Sequence, residues 1–133
     1  MANPSKRIGT RAETNVSRFL TERGLRTVRR ALAGSEDEGD LRMLLPSGEE
    51  ITLEVKAGKQ TKSVSRSKLN EWKRQTEAES GNSGCRGALV IVKYQRSLAD
   101  AEVWLPIAQW KGGTEGWAME YLDDFADAMY ATS

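Results

Sequence analysis

The sequence predicts a mixed α/β domain, one β-sheet flanked by helices, with its elements in the order αβββαββα. Three observations carry this. The run Glu50-Ile51-Thr52-Leu53-Glu54-Val55-Lys56 alternates apolar and polar residues, and side chains on a strand alternate faces with period two. The run Gly87-Ala88-Leu89-Val90-Ile91-Val92-Lys93-Tyr94 is apolar nearly throughout, as a central strand covered on both faces would be. Between Arg11 and Arg23, the residues Ala12, Val16, Phe19 and Leu20 recur at helical spacing.

The remaining elements follow in chain order. Residues 1–9 read as a flexible basic arm ahead of the first helix. Thr10 suits the N-cap of that helix, Glu13 completes a capping box three residues on, and Gly24 suits its end. Residues 25–32 read as a strand, and 33–39, Ala-Gly-Ser-Glu-Asp-Glu-Gly, as an acidic loop. Residues 40–45 read as a second strand, and Pro46-Ser47-Gly48 turns it into the third, so the pair forms a hairpin. Residues 57–67 read as a mobile basic loop. Residues 68–79 read as a helix burying Leu69, Trp72 and either Gln75 or Thr76, followed by a glycine-rich loop at 80–87. After the apolar strand comes another at 101–107, with Pro106 near its end. A last helix, 117–130, is expected to bury Tyr121, Phe125 and Met129 at spacings of four. With no internal repeat and no low-complexity tract, the 133 residues are expected to form a single domain.

Composition narrows the chemistry. The chain has no histidine, which excludes Ser-His-Asp and Cys-His nucleophile pairs and a histidine general base. Cys85 is its one cysteine, so no internal disulfide forms, a structural zinc site is disfavoured, and a reducing, cytoplasmic setting is expected. A metal here would be a hard cation on oxygen ligands, magnesium or manganese. No apolar run approaches the roughly 20 residues of a membrane span, and the N-terminus lacks the hydrophobic segment of a secretory signal. The formal net charge of +1 hides segregation. Residues 1–30 carry eight basic and two acidic groups, 31–55 one and seven, 56–74 seven and one, and 95–133 two and seven. An acidic centre flanked by basic stretches suits a polyanionic substrate, although a solvated mixed surface has the same composition.

The candidate site starts on strand 50–56, where Glu54 and Lys56 project from one face. A carboxylate beside an ammonium on a rigid strand can hold a divalent cation and a water for phosphodiester hydrolysis. Asp40 opens the preceding strand. Glu36, Asp37 and Glu38 stand close by, but Asp40 alone directly precedes the apolar residues. Glu13 on the first helix is a further acid. Each has a structural alternative: Glu13 as a helix cap, and Glu54 with Lys56 as an ion pair on a solvated sheet face. Lys59, Lys62, Arg66 and Lys68 just beyond the strand suit contacts to a nucleic-acid backbone, and Arg7, Arg11, Arg29 and Arg30 would extend them. A flexible polar loop is the alternative there. The four tryptophans suit the core or a dimer contact better than base stacking.

Taken in order, Gly9-Thr10-Arg11-Ala12-Glu13, Gly24-Leu25-Arg26-Thr27-Val28-Arg29-Arg30, Gly39-Asp40-Leu41, Glu54-Val55-Lys56 and the strand Ala88 to Tyr94 resemble the PD-(D/E)xK nuclease superfamily. Within it the chain looks like the archaeal-type Holliday junction resolvases and their phage relatives, over residues 9 to about 107. The resemblance implies a restriction-endonuclease-like fold. It implies an endodeoxyribonuclease dependent on Mg2+, or on Mn2+ in its place, that acts as a homodimer on branched or four-way DNA. No membrane and no small-molecule cofactor is implied. It further implies Asp40 and Glu54 as direct metal ligands, with the main-chain carbonyl of Val55 as a third. Lys56 would orient or help deprotonate the attacking water, and Glu13 would reach a metal-bound water or a second ion. Gln75 stands where many members carry a helical glutamine near the site. Two positions depart from the pattern: Gly39 replaces the proline, and Glu79 stands where some members have an aromatic residue. The same pattern also fits an exonuclease, a nicking or restriction-type enzyme, or an inactive nucleic-acid-binding module of the same fold.

Overall fold

The computed structural model describes residues 4–30 and 40–131 and, in the first helix, side chains from residue 9 onward. Helix α1 (Pro4–Glu22) leads into strands β1 (Arg26–Arg29), β2 (Leu41–Leu44) and β3 (Glu50–Lys56). Helix α2 (Arg66–Ser83), strands β4 (Arg86–Ile91) and β5 (Glu102–Pro106), a one-turn helix α3 (Ile107–Trp110), strand β6 (Trp117–Tyr121) and helix α4 (Leu122–Ala131) complete the chain. The strands form one six-stranded sheet in sequence order. Only β3 and β4 run parallel, with α2 as their crossover, and every other neighbour is antiparallel. This is a mixed sheet flanked by helices, the predicted class. No described helix is long and apolar enough to cross a membrane.

The larger core lies on the α1 and α4 face, where Val16, Leu20, Leu41, Leu53, Val90, Val103 and Phe125 meet. Under α2 a smaller cluster joins Trp72, Leu89 and Ile91. The alternation in β3 therefore sorts Ile51, Leu53 and Val55 to the first face and Thr52, Glu54 and Lys56 to the second. Because β3 is an interior strand covered on both sides, Thr52 and Glu54 are buried as well. The candidate site lies at the strand ends of the sheet's interior, not on a sheet edge or a solvated face.

Several boundaries differ from expectation. Residues 4–9, read as an arm, are the opening turns of α1. Pro4 is its first residue, where a missing N–H is no loss. Thr10 consequently lies inside the helix, its carbonyl accepting from Thr14 Oγ1 at 3.0 Å, and neither Thr10 nor Glu13 acts as a cap. Gly24 does end the helix, at φ +87°, with Leu25 N–H returning to the Leu20 carbonyl. The turn at Gly48 closes the β2–β3 hairpin as read, its N–H bonding the Leu45 carbonyl at 2.8 Å.

Residues 57–67 are pinned rather than loose. Buried Thr61 donates to the Gly58 and Val92 carbonyls and accepts from Tyr94 N–H. Helix α2 outruns its prediction at both ends. Ser65 caps its start, accepting from Lys68 N–H at 3.1 Å, and Gly84 closes it in the left-handed conformation, so Gly81 is helical. The largest difference is at 117–121, read as the start of the last helix and found as a strand paired to β5. Phe125 and Met129 are buried in α4 as expected, whereas Tyr121 is exposed. The acidic loop 33–39 and residues 31–32 lie outside the described residues.

Candidate active site

Asp40 directly precedes β2, at a bend just before the β2–β3 pairing that begins with Leu41 opposite Leu53. Two backbone bonds hold it there: its N–H donates to the Leu53 carbonyl at 3.0 Å, and its carbonyl accepts from Arg30 N–H at 2.9 Å. Its Oδ2 accepts from Val55 N–H at 2.9 Å. On a strand the N–H and C=O of one residue point the same way, so the Val55 carbonyl also faces the Asp40 side.

The acids meet in a chain of pairs. Glu13, on α1, lies against Asp40, and its Oε2 accepts from Arg29 Nε at 3.0 Å. Burial raises the Glu13 pKa, with the Asp40 carboxyl adding to it, and Arg29 opposes the rise. Glu54 is only 2% exposed and lies within hydrogen-bonding reach of both Asp40 and Glu79. Its carboxyl is pushed up to about 12, by burial first and then by those two neighbours. Its Oε2 is buried and finds no donor among the described residues. Adjacent carboxyls that turn acceptor toward acceptor need a proton or a cation between them.

Lys56 projects from the same face as Glu54. Its Nζ donates to Gln75 Oε1 at 2.9 Å and lies 5.8 Å from the Trp72 ring. Lys56 is thus paired to α2, not to Glu54, which sets aside the ion-pair alternative. The donor chemistry fits a hard divalent ion: carboxyl oxygens of Asp40 and Glu54, the Glu54 Oε2 among them buried without a donor, and the Val55 carbonyl. Among the described residues no three acids gather into one metal cage.

A groove of about 860 Å3 opens on the α1 side of the sheet, and none of Glu13, Asp40, Glu54 and Lys56 lines it. It runs between α1 and the segments following β3 and β4, so Ala12 and Ala57, neighbours in sequence of Glu13 and Lys56, both line it. Four basic side chains border it: Arg11, Lys59, Lys93 and Arg96. Lys62 lines an adjoining hollow of about 320 Å3 together with Lys93 and Arg96. Arg66 is exposed at the start of α2, and Lys68 lies 5.9 Å from the Trp72 ring. Of the arginines proposed for DNA, Arg29 holds Glu13 and Arg30 Nη2 donates to Thr52 Oγ1 at 3.2 Å. Both serve the site's framework. The Arg7 side chain lies outside the described residues.

From sequence, Glu79 stands out only as a departure from the family pattern, and Lys93 and Arg96 do not stand out at all. Glu79 carried a signal: it sits with Trp72, Thr76 and Ser80 on the buried stripe of α2, where an acid is out of place unless it faces other polar groups. Lys93 and Arg96 belong to the groove only because parallel pairing of β3 with β4 brings their chain ends together, which no local pattern announces.

No protein-family model matches the chain, and no curated protein matches it in sequence. Among solved structures it is similar to Hjc of Archaeoglobus fulgidus, a Holliday junction resolvase from an archaeal hyperthermophile. The identity is 16%, the likeness covers 93% of each chain, and the TM-score is 0.49.

Proposed function

We propose that this chain is a metal-dependent endonuclease that hydrolyses phosphodiesters in branched DNA, resembling the Holliday junction resolvases, and that it works as a two-fold dimer. The observation that carries the reading is the Asp40–Glu54 carboxyl pair, set across adjacent strands with Lys56 on the same face two residues on. Asp40, Glu54 and the Val55 carbonyl would hold a divalent ion, Mg2+ or Mn2+. When bound, the ion supplies charge neutralisation at the scissile phosphate. The chain's own groups do the rest. Gln75 holds the Lys56 ammonium at a fixed position beside Glu54, where it can orient a water and offset charge on the phosphate. Arg29 fixes Glu13 against Asp40, so the outer carboxyl accepts a proton or a water without moving. The groove's arginines and lysines would take the sugar–phosphate backbone on either side of the cut.

The deciding assay compares linear duplex, single strands, flaps and four-way junctions, each with Mg2+ and with Mn2+. Paired, symmetric nicks confined to the junction are expected. Equal cutting of linear duplex would assign a general nuclease. Salt-sensitive binding without any cutting would assign an inactive binding module.

A further inference from the structure

The sheet has two edges, and the sequence guards only one. β1 carries Arg26 and Arg29 within its four residues, and charges along an edge discourage pairing with another chain. β6, at the far edge, reads Trp-Ala-Met-Glu-Tyr, with one charge and no lysine, proline or glycine. The bonds from Leu122 N–H to the Ala101 carbonyl and from Ile107 N–H to the Gly116 carbonyl set the phase of its pairing with β5. Ala118 and Glu120 therefore bond inward, and the backbone groups of Trp117, Met119 and Tyr121 point away from the sheet. Among the described residues nothing bonds to them.

The same three residues share the face on which α2 packs, since Met119 pairs with Trp104 and Trp104 borders the cluster under α2. Helix α2 covers β3 and β4. Toward β5 and β6 it extends Lys73, whose ammonium lies 4.7 Å from the Trp104 ring and 5.6 Å from the Trp117 ring. Met119 is left 40% exposed and Tyr121 48%.

We propose that β6 is the seam of a dimer: a second copy of this chain adds its own β6 antiparallel, with Met119 on the two-fold axis. The strand is its own complement in this register. Met119 meets Met119, Trp117 meets Tyr121 in both directions, and every outward N–H and C=O finds a partner. The neighbouring registers are worse. Moving the axis to Glu120 sets two like charges opposite one another, and moving it to Ala118 carries Tyr121 beyond the partner strand. A foreign peptide could use the same edge, but nothing would require it to match Trp117, Met119 and Tyr121 at once. Aromatic side chains offer roughly 150–250 Å2 each when fully covered. The uncovered parts and the outer backbone thus come to on the order of 500 Å2 per copy, below the roughly 800 Å2 of a standard partner. The pairing is therefore weak and reversible, to be tightened by a substrate that holds both copies. In that purpose it rests on the branched-DNA reading, but its test does not use cleavage.

Sedimentation across a wide concentration range should show a reversible monomer–dimer equilibrium. Met119→Arg, which puts like charges on the axis, should leave only monomer with an unchanged circular dichroism spectrum, and Tyr121→Arg should do the same. On a Cys85→Ser background, Met119→Cys should oxidise to a disulfide-linked dimer, because hydrogen-bonded partners lie about 5.5 Å apart at Cα. Ala118→Cys should not. A wild-type chain that stays monomeric up to several hundred micromolar would overturn the inference. So would a dimer indifferent to both arginine substitutions, or cross-linking at 118 in place of 119. A monomer that still cuts junctions would sink this seam alone, and an intact dimer that cuts nothing would sink the nuclease reading alone.

Discussion

Glu54 sits where an acid is costly, and the sign of that cost can be worked out. Its folded pKa stands above the ordinary 4.5, so the folded chain keeps a proton that the unfolded chain releases. The contribution is favourable or neutral below the ordinary value. Stability is then lost progressively as pH rises toward the folded pKa. At about 1.4 kcal/mol per unit, the roughly 2.5 units between 4.5 and pH 7 mean that the metal-free protein gives up on the order of 3–4 kcal/mol at this residue. Glu54→Gln is therefore expected to raise the melting midpoint at pH 7–8 and flatten its pH dependence, while abolishing cleavage. Melts in chelator over roughly pH 5 to 9 check this, and a slope unchanged in the variant would locate the cost elsewhere. Saturating Mg2+ or Mn2+ should stabilise the wild type by about 2.7 kcal/mol at a hundredfold excess over Kd, and the Gln variant far less. For Lys56, replacement by alanine should lower kcat by about a thousandfold with DNA affinity nearly unchanged. Gln75→Ala leaves the ammonium present but unheld, so about a tenfold loss in kcat with KM unchanged is expected. Single-turnover rates separate the two, and equal losses would make Gln75 more than a positioning residue.

Elements were legible where their evidence is local. The bounds of β3 follow from strict alternation, and the buried stripe of α1 from its spacing. The hairpin turn follows from Pro46-Ser47-Gly48. Of the site, Glu54 and Lys56 are legible together because both lie on one face of the alternating strand, and Asp40 because it directly precedes the strand paired with it. β6 was misread because Tyr121, Phe125 and Met129 recur every four residues, a helical pattern that continues correctly into α4. What makes 117–121 a strand is the free edge of β5, a non-local partner. Gly112, Gly113 and Gly116, all at positive φ, mark the break that precedes it. At Gly24 local and tertiary demands coincide: its φ is +87°, and a Cβ there would lie 2.7 Å from the Tyr130 ring. Gly24→Ala should cost about 1–2 kcal/mol for the left-handed backbone alone. The Tyr130 ring must also shift to admit the added methyl, which adds to that cost. Chemical denaturation of Gly24→Ala and of Gly24→Ala with Tyr130→Ala tests this division. A full rescue in the double variant would mean that the ring, not the backbone, sets the cost.

Across the whole molecule, charge is sorted by the fold in a way that the net value of +1 conceals. Arg11 of α1 and Lys59 after β3 border the groove, joined by Lys93 and Arg96 from the segment after β4. The acidic C-terminal stretch supplies α4, on the other margin of the sheet. A polyanion is therefore attracted along the groove and repelled from α4. The consequence is quantitative. Each lysine or arginine that neutralises a phosphate releases counterions and adds about 0.9 to the slope of log affinity against log salt for duplex arms. Removing Lys59, Lys93 and Arg96 together should flatten that slope by about 2.7 and weaken binding most at low salt. Lys111→Ala is the control, since Lys111 sits beside Glu120 on β6, and its loss should leave the slope unchanged. Titrations at several salt concentrations with a catalytically dead Asp40→Asn background read both. Equal slopes for the triple variant and its parent would place the nucleic acid on some other surface, whatever the carboxyls do.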